Sequence, residues 1–305
     1  MRTDTCRLCE RTAELQVSHI LPAFVIRWLK RSSLAPLRSG AAPNVRTQDG
    51  PKLHLLCRDC EQMFQKWEMP FAEQIFTTLH RPDDQLPEKL RYQEWALRFA
   101  VSVSWRALAL FTEHERFPQI PISDQHLLRR ALSTWSQFLR NERPNPAEFE
   151  QHLLPLTGVR RTSHDVSSFL NKYILRSVDL DLVEADGAYI VFTKLGRIFL
   201  FGLIPRRPTT SGWSNVTKLR LRKGEIALRG ATNVPQAVLE FINDRAEKGQ
   251  AEIASMSPNQ KQKVRDGVLK LARSNPDAEV FRAWLLDHEL TYHQDDTDDD
   301  DGRDS

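Results

Sequence analysis

The sequence predicts an α+β fold in three parts: a small cysteine-bearing module first, a helical middle region next, and an antiparallel sheet with flanking helices last. Three observations carry that expectation. All four cysteines of the chain fall in two identically spaced pairs, CRLC at Cys6 and Cys9 and CRDC at Cys57 and Cys60. The stretch from Glu88 to Glu113 is apolar on most sides, the pattern of a helix running through a core. From Val178 onward the apolar pattern changes from a helical period to a period of two.

The cysteine pairs come first. A C-x2-C turn places two thiolates close enough to grip one tetrahedral ion, and two such turns complete an all-thiolate zinc site with no cysteine left over. A closed shell of four thiolates has no open position for substrate, so this zinc is structural. The opening MRTDTC has no apolar stretch and does not read as a secretory signal, which places the chain in a thiol-reducing cytoplasm where the cysteines stay free for metal. No apolar run approaches the ~20 residues needed to cross a bilayer, so no membrane role is expected.

Within this module, residues 1–80, Pro22 suits the first turn of a helix that continues through AFVIRWLKRS and ends near Ser32 or Ser33. Residues 34–51 carry Gly, Pro and Asn without periodicity and read as loop. LHLL before Cys57 reads as a short strand, with His54 a packing residue on it, and a second helix runs from Asp59. Pro70 marks a kink in that helix or the start of a new one.

Residues 81–294 form a helical plus α+β region. Residues 86–155 read as helical, with Trp95, Phe99, Val103, Trp105 and Phe111 in the core helix. A second helix is expected from Ser123, as N-cap, to about Arg140, with Pro144 and Pro146 ending the unit. VDLDLVE, AYIVFTK and RIFLFGLIP, separated by Asp186-Gly187 and Leu195-Gly196, predict a three-stranded antiparallel meander. VTKLRLRKG reads as a fourth strand, with Leu219 and Leu221 facing in and Lys218, Arg220 and Arg222 facing out. Helices follow near residues 234–248, 257–273 and 277–289.

The net charge of +3 hides a division: the run from Asp295 carries seven aspartates against one arginine, a charge of −6, which leaves +9 on residues 1–294. Residues 295–305 read as a disordered acidic tail serving solubility. The basic body suits a phosphate backbone. Arg27, Lys30 and Arg31 lie on the helix after His19, and the row Lys218, Arg220 and Arg222, with Arg206, Arg207 and Lys223 nearby, forms a second basic surface.

Three segments in order, CRLC, VSHILP and LHLLCRDCEQMF, span residues 6–68. Together they resemble the HNH endonuclease family, His-Me finger nucleases with a zinc-stabilised treble-clef frame. The resemblance implies a ββα module that hydrolyses phosphodiester bonds with a magnesium or manganese ion, in a restriction or phage-defence setting, with nucleic acid, DNA first, as the partner. It assigns His19 as the general base: an imidazole with a pKa near 6.5 can take a proton from water as it attacks phosphorus. It places Glu61, directly after the last cysteine, where the family has a ligand to the catalytic metal, and a carboxylate suits that role. Two positions depart from the family. Ser18 stands where an aspartate ligand is common, and Lys52 where an asparagine often precedes the strand; Asn44 is another candidate for orienting the imidazole. Glu68 lies two helical turns beyond Glu61, about 10 Å along the axis, a neighbour of the site rather than a ligand. Two alternatives stay open: a non-catalytic zinc module that binds nucleic acid, in which Ser18 records a lost ligand, and a protein-interaction subunit that docks a partner through its C-terminal region.

Overall fold

The computed structural model describes residues 2–32, 38–39, 42–46, 49–81, 86–185, 187–207, 213–274 and 278–300, the side chains of 38–39, 42–46 and 291–300 excepted. The N-terminal module contains β1 (Arg2–Thr5), β2 (Thr12–His19), α1 (Ala23–Ser32), β3 (Arg38–Ser39), β4 (Ala42–Arg46), β5 (Lys52–Cys57) and α2 (Arg58–Phe71). Strands β1, β2 and β5 make an antiparallel sheet in that order. The segment expected to be loop contains the β3–β4 hairpin, whose strands are too short to show a period of two. Helix α2 passes through Pro70 without ending, and a π-helical turn, Ala72–Phe76, and a short α3 (Thr77–Leu79) follow it.

The middle region is not wholly helical. Residues Lys89–Tyr92 form β6, with Leu90 and Tyr92 buried and Lys89 and Arg91 exposed, a four-residue alternation overshadowed by the long apolar helix after it. Helix α4 (Glu94–Thr112) is buried nearly all round, as its sequence predicts. Helix α5 (Ile122–Leu139) starts after Pro121, so Ser123 is inside the helix rather than its cap. Asp124, beside it, accepts from the Tyr189 hydroxyl at 3.0 Å and the Arg206 guanidinium at 2.6 Å. A further strand, β7 (Gln151–Pro155), precedes α6 (Leu170–Arg176).

The meander β8 (Val178–Ala185), β9 (Ala188–Leu195) and β10 (Ile198–Pro205) forms in the predicted antiparallel register, with Asp186 outside the described residues. The fourth strand is shorter and placed differently. Only β11 (Thr217–Lys218) is strand, and it pairs with β7, which lies between it and β10, giving the order β11-β7-β10-β9-β8. β12 (Gly224–Ala227) instead pairs with β6. Helices α7 (Gln236–Ala254), α8 (Pro258–Ser274) and α9 (Glu279–Asp300) close the chain. The acidic segment 295–305 lies outside the described residues except for the backbone of 295–300, which continues α9.

Both faces of the central strands are covered, which explains their unbroken apolar sequence. Tyr189, Val191, Leu195, Leu200 and Ile204 face a core shared with α4, α5 and the whole N-terminal module. Ile190, Phe192, Phe199, Phe201 and Leu203 face a second core beneath α6, α7 and α9. The two modules therefore meet through α4, which packs on α2 on one side and on β9 and β10 on the other.

One close approach holds the meander against the N-terminal module. The β9–β10 turn needs Gly196 at φ 61°, and the Arg197 amide donates at 2.9 Å to His80 Nε2. His80 Nδ1 then donates to the Phe76 carbonyl at 2.7 Å, and burial pushes the imidazole down to about 3, so it stays neutral. A Cβ at Gly196 would collide with His80 and lie 2.9 Å from the Trp28 ring. Gly196→Ala is therefore expected to destabilise the chain by several kcal/mol, on the order of 3, from left-handed strain and overpacking together. A denaturant melt within 1 kcal/mol of wild type would contradict this.

Candidate metal centre and the histidine beside it

The first cysteine pair sits on the turn between β1 and β2. Glu10 adopts φ 62° and its amide donates to the Cys6 carbonyl at 2.8 Å, while the Cys6 amide donates to the Arg11 carbonyl at 2.9 Å, so the chain curls around its own sulfurs. The second pair spans the junction of β5 and α2. A bulge in the β2–β5 register, where Gln16 pairs with Leu56 but Val17 with His54, sets Leu55 aside, and its carbonyl accepts the Arg7 amide at 3.0 Å. That bond brings the two turns together.

All four Sγ atoms lie within 4.8 Å of one another, with Cys6 to Cys60 and Cys9 to Cys57 each 3.8 Å apart. Tetrahedral zinc with Zn–S bonds of about 2.3 Å requires sulfurs about 3.8 Å apart. The donor set fits zinc in charge and geometry. The Cys6 and Cys60 sulfurs share a hydrogen bond at 3.8 Å, and this contact pulls Cys6 down to about 4 and pushes Cys60 well above the usual thiol range. Cys57 is raised by burial. Thiolates packed this closely need a divalent cation to ionise together. Arg11 Nε donates to Cys9 at 3.4 Å and its other arm to Asp59 at 3.0 Å, partly neutralising the cluster from outside.

Strand β2 pairs Leu15 with Cys57 and ends at Ser18 and His19. Alternation sends their side chains to opposite faces. Ser18 is buried and its hydroxyl donates to the Glu61 carboxylate, one residue past Cys60. His19 pairs with Lys52 across the sheet, and its Nε2 lies 3.3 Å from Asp49 Oδ2. Lys52 Nζ lies 2.6 Å from the same oxygen and, as the main cause, holds Asp49 down to about 2. An ionised carboxylate only accepts, so in the neutral tautomer that suits this contact Nε2 carries the hydrogen and Nδ1 the lone pair. Among the described residues no hydrogen bond or ion pair joins the His19 ring to Glu61; Ser18 is what links the two positions.

Asp49 and Arg106 complete the site, and neither is among the candidates the sequence offered. Asp49 falls in a segment without periodicity. Arg106 is 3% exposed, inside α4, and donates to the His19 carbonyl at 3.1 Å and to Glu68 at 2.7 Å. It therefore anchors the strand end, and Glu68 is committed to it as an ion-pair partner. A lone arginine in the apolar run from Phe99 to Thr112 was the available signal. His54 is exposed rather than packed, and the Asn44 side chain lies outside those described.

Arg27, Lys30 and Arg31 are exposed on α1, the helix directly after His19. Arg220 and Arg222 are also exposed, whereas Lys218 is paired with Glu150, and Arg206 with Asp124 and Glu184. No helix among the described residues is long and apolar enough to cross a membrane. Comparisons of the chain with family models, curated proteins and solved structures return no match.

Proposed function

We propose that this chain is a metal-dependent endonuclease of HNH type, with His19 as general base and Glu61 as the protein ligand of a catalytic magnesium or manganese ion. The observation that supports this reading is the Ser18–Glu61 hydrogen bond, which holds a carboxylate at the end of the strand that carries His19, on the face opposite to the one where the imidazole stands part-exposed beside Asp49. Asp49 fixes the tautomer, so Nδ1 is free to accept the proton of an attacking water. A divalent ion held by Glu61 would supply charge stabilisation for the phosphate and the leaving oxygen. Exposed Arg27, Lys30 and Arg31 on α1 would position the nucleic-acid backbone.

A second reading, a zinc module that binds nucleic acid without cutting it, draws on Ser18. Its buried neutral hydroxyl already satisfies one oxygen of Glu61 and is a poor metal ligand. Plasmid cleavage titrated with magnesium and manganese separates the two, since salt-sensitive binding with no cleavage under any metal supports the second. Under the first, Glu61→Gln, which keeps shape and removes charge, is expected to raise the metal needed for half-maximal cleavage by about tenfold or more. Ser18→Asp is expected to lower it. Metal curves that coincide for all three proteins would remove Glu61 from the site.

A further inference from the structure

We infer that Cys9 is an oxidation site, the sulfur through which peroxide opens the four-cysteine centre, with Cys57 as the thiol that resolves it. The four sulfurs are not equivalent. Cys6, Cys57 and Cys60 are 0%, 4% and 5% exposed, whereas Cys9 stands part-exposed on the β1–β2 turn. The charge around them is uneven as well: the Arg11 guanidinium donates to Cys9 Sγ at 3.4 Å and is itself held by Asp59. A cation beside an accessible sulfur keeps it as the thiolate, the nucleophilic form, while buried cysteines stay inert. A redox-responsive cysteine also needs a second thiol close by, and Cys57 Sγ lies 3.8 Å from Cys9 Sγ. Arg11, Asp59 and Cys57 line a common groove of about 260 Å³, far above the ~15 Å³ that a water-sized molecule requires. Exposure, charge, a partner sulfur and access thus coincide at one of the four cysteines.

The Cys9 thiolate attacks one oxygen of hydrogen peroxide; the O–O bond breaks, hydroxide leaves and Cys9 becomes a sulfenic acid. The Cys57 thiolate then attacks the Cys9 sulfur; an S–S bond forms and the sulfenic oxygen leaves as a second hydroxide. Two thiolates lose two electrons and one peroxide takes them up. The resulting Cys9–Cys57 disulfide ties the β1–β2 turn to the end of β5 and, by removing two of the four donors that tetrahedral zinc requires, releases the ion. Cys6 and Cys60, buried 3.8 Å apart, stay reduced. The step depends on the cysteine centre alone and not on cleavage at His19.

Hydrogen peroxide titrated into the zinc-loaded full chain tests this, with zinc release followed by a chromogenic indicator and each cysteine by differential alkylation and mass spectrometry. Cys9 and Cys57 are expected to lose their reactivity toward alkylation together, one zinc to leave for each disulfide formed, and dithiothreitol with zinc to restore both. Cys9→His, which keeps a nitrogen ligand for zinc and removes the nucleophile, is expected to slow zinc release by about tenfold or more. Cys60→His should release zinc as readily as the wild type. The alkylation map of the wild type decides the matter even where a histidine variant loses its metal. Oxidation that starts at Cys6 or Cys60, or a disulfide formed within either C-x2-C pair, overturns the inference. So does a centre that keeps all four thiols in excess peroxide, or Cys9→His releasing zinc as fast as the wild type.

Discussion

His19→Ala is expected to abolish plasmid cleavage, by at least about 10² to 10⁴ if general-base catalysis is the only contribution lost. Zinc content and DNA affinity are expected to hold. The side chain is 27% exposed, so truncation opens no buried cavity, and Asp49 keeps Lys52 as its partner. A residue acting only in the transition state lowers kcat and leaves binding alone. The informative companion is Asp49→Asn, which removes the carboxylate that sets the tautomer; it should lower kcat by a smaller factor without changing KM. Cleavage undiminished in His19→Ala would refute the assignment. A wild type inert with every divalent metal would leave the zinc-dependent binding module as the better description.

Replacing Cys6, Cys9, Cys57 and Cys60 together by serine is expected to unfold the N-terminal module and to abolish the one zinc per chain that elemental analysis should find in the wild type. The scale of the loss follows from structural zinc, worth on the order of 10 kcal/mol in small domains, well above the few kcal/mol by which most proteins are stable. Among the described residues the two cysteine turns are joined by the backbone bond from Arg7 to Leu55, by the Cys57 amide donating to Cys6 Sγ at 3.3 Å, and by the Arg11 side chain bridging Cys9 to Asp59. Chelator is expected to produce the same effect, reversed by zinc. A quadruple variant that melts like the wild type would sink the structural role, whatever the spacing of the sulfurs.

The parts of this fold that could be read from sequence are those whose cause is local. A C-x2-C pair declares its metal within four residues, and the meander declares itself because its strands are joined by tight turns. Strands β6, β7 and β12 escaped notice because their partners are far away along the chain: β6 and β12 are separated by more than a hundred residues. Short strands paired at that distance leave only two or three alternating positions each, too few to outweigh an adjacent apolar helix. The candidate site divides in the same way. Ser18, His19 and Glu61 lie inside recognisable spacings, but Asp49 reaches His19 from an aperiodic segment and Arg106 from the middle of α4. Both act through tertiary contact, which no local pattern encodes.

Helix α4 determines how portable the cysteine module is. It covers Phe24, Phe64 and Phe71 of the N-terminal module and supplies the arginine that pins the histidine strand, while its opposite side roofs the five-stranded sheet. Cut out as a cassette of the first eighty residues, the module would carry an exposed aromatic wall and a strand end without its anchor. Recombination that shuffles such modules between chains would succeed only where α4 travels with them. Alterations accumulated in α2 and α4 should accordingly be inherited as matched sets, and a chimaera joined just before α4 would fail for want of a lining rather than for want of a metal.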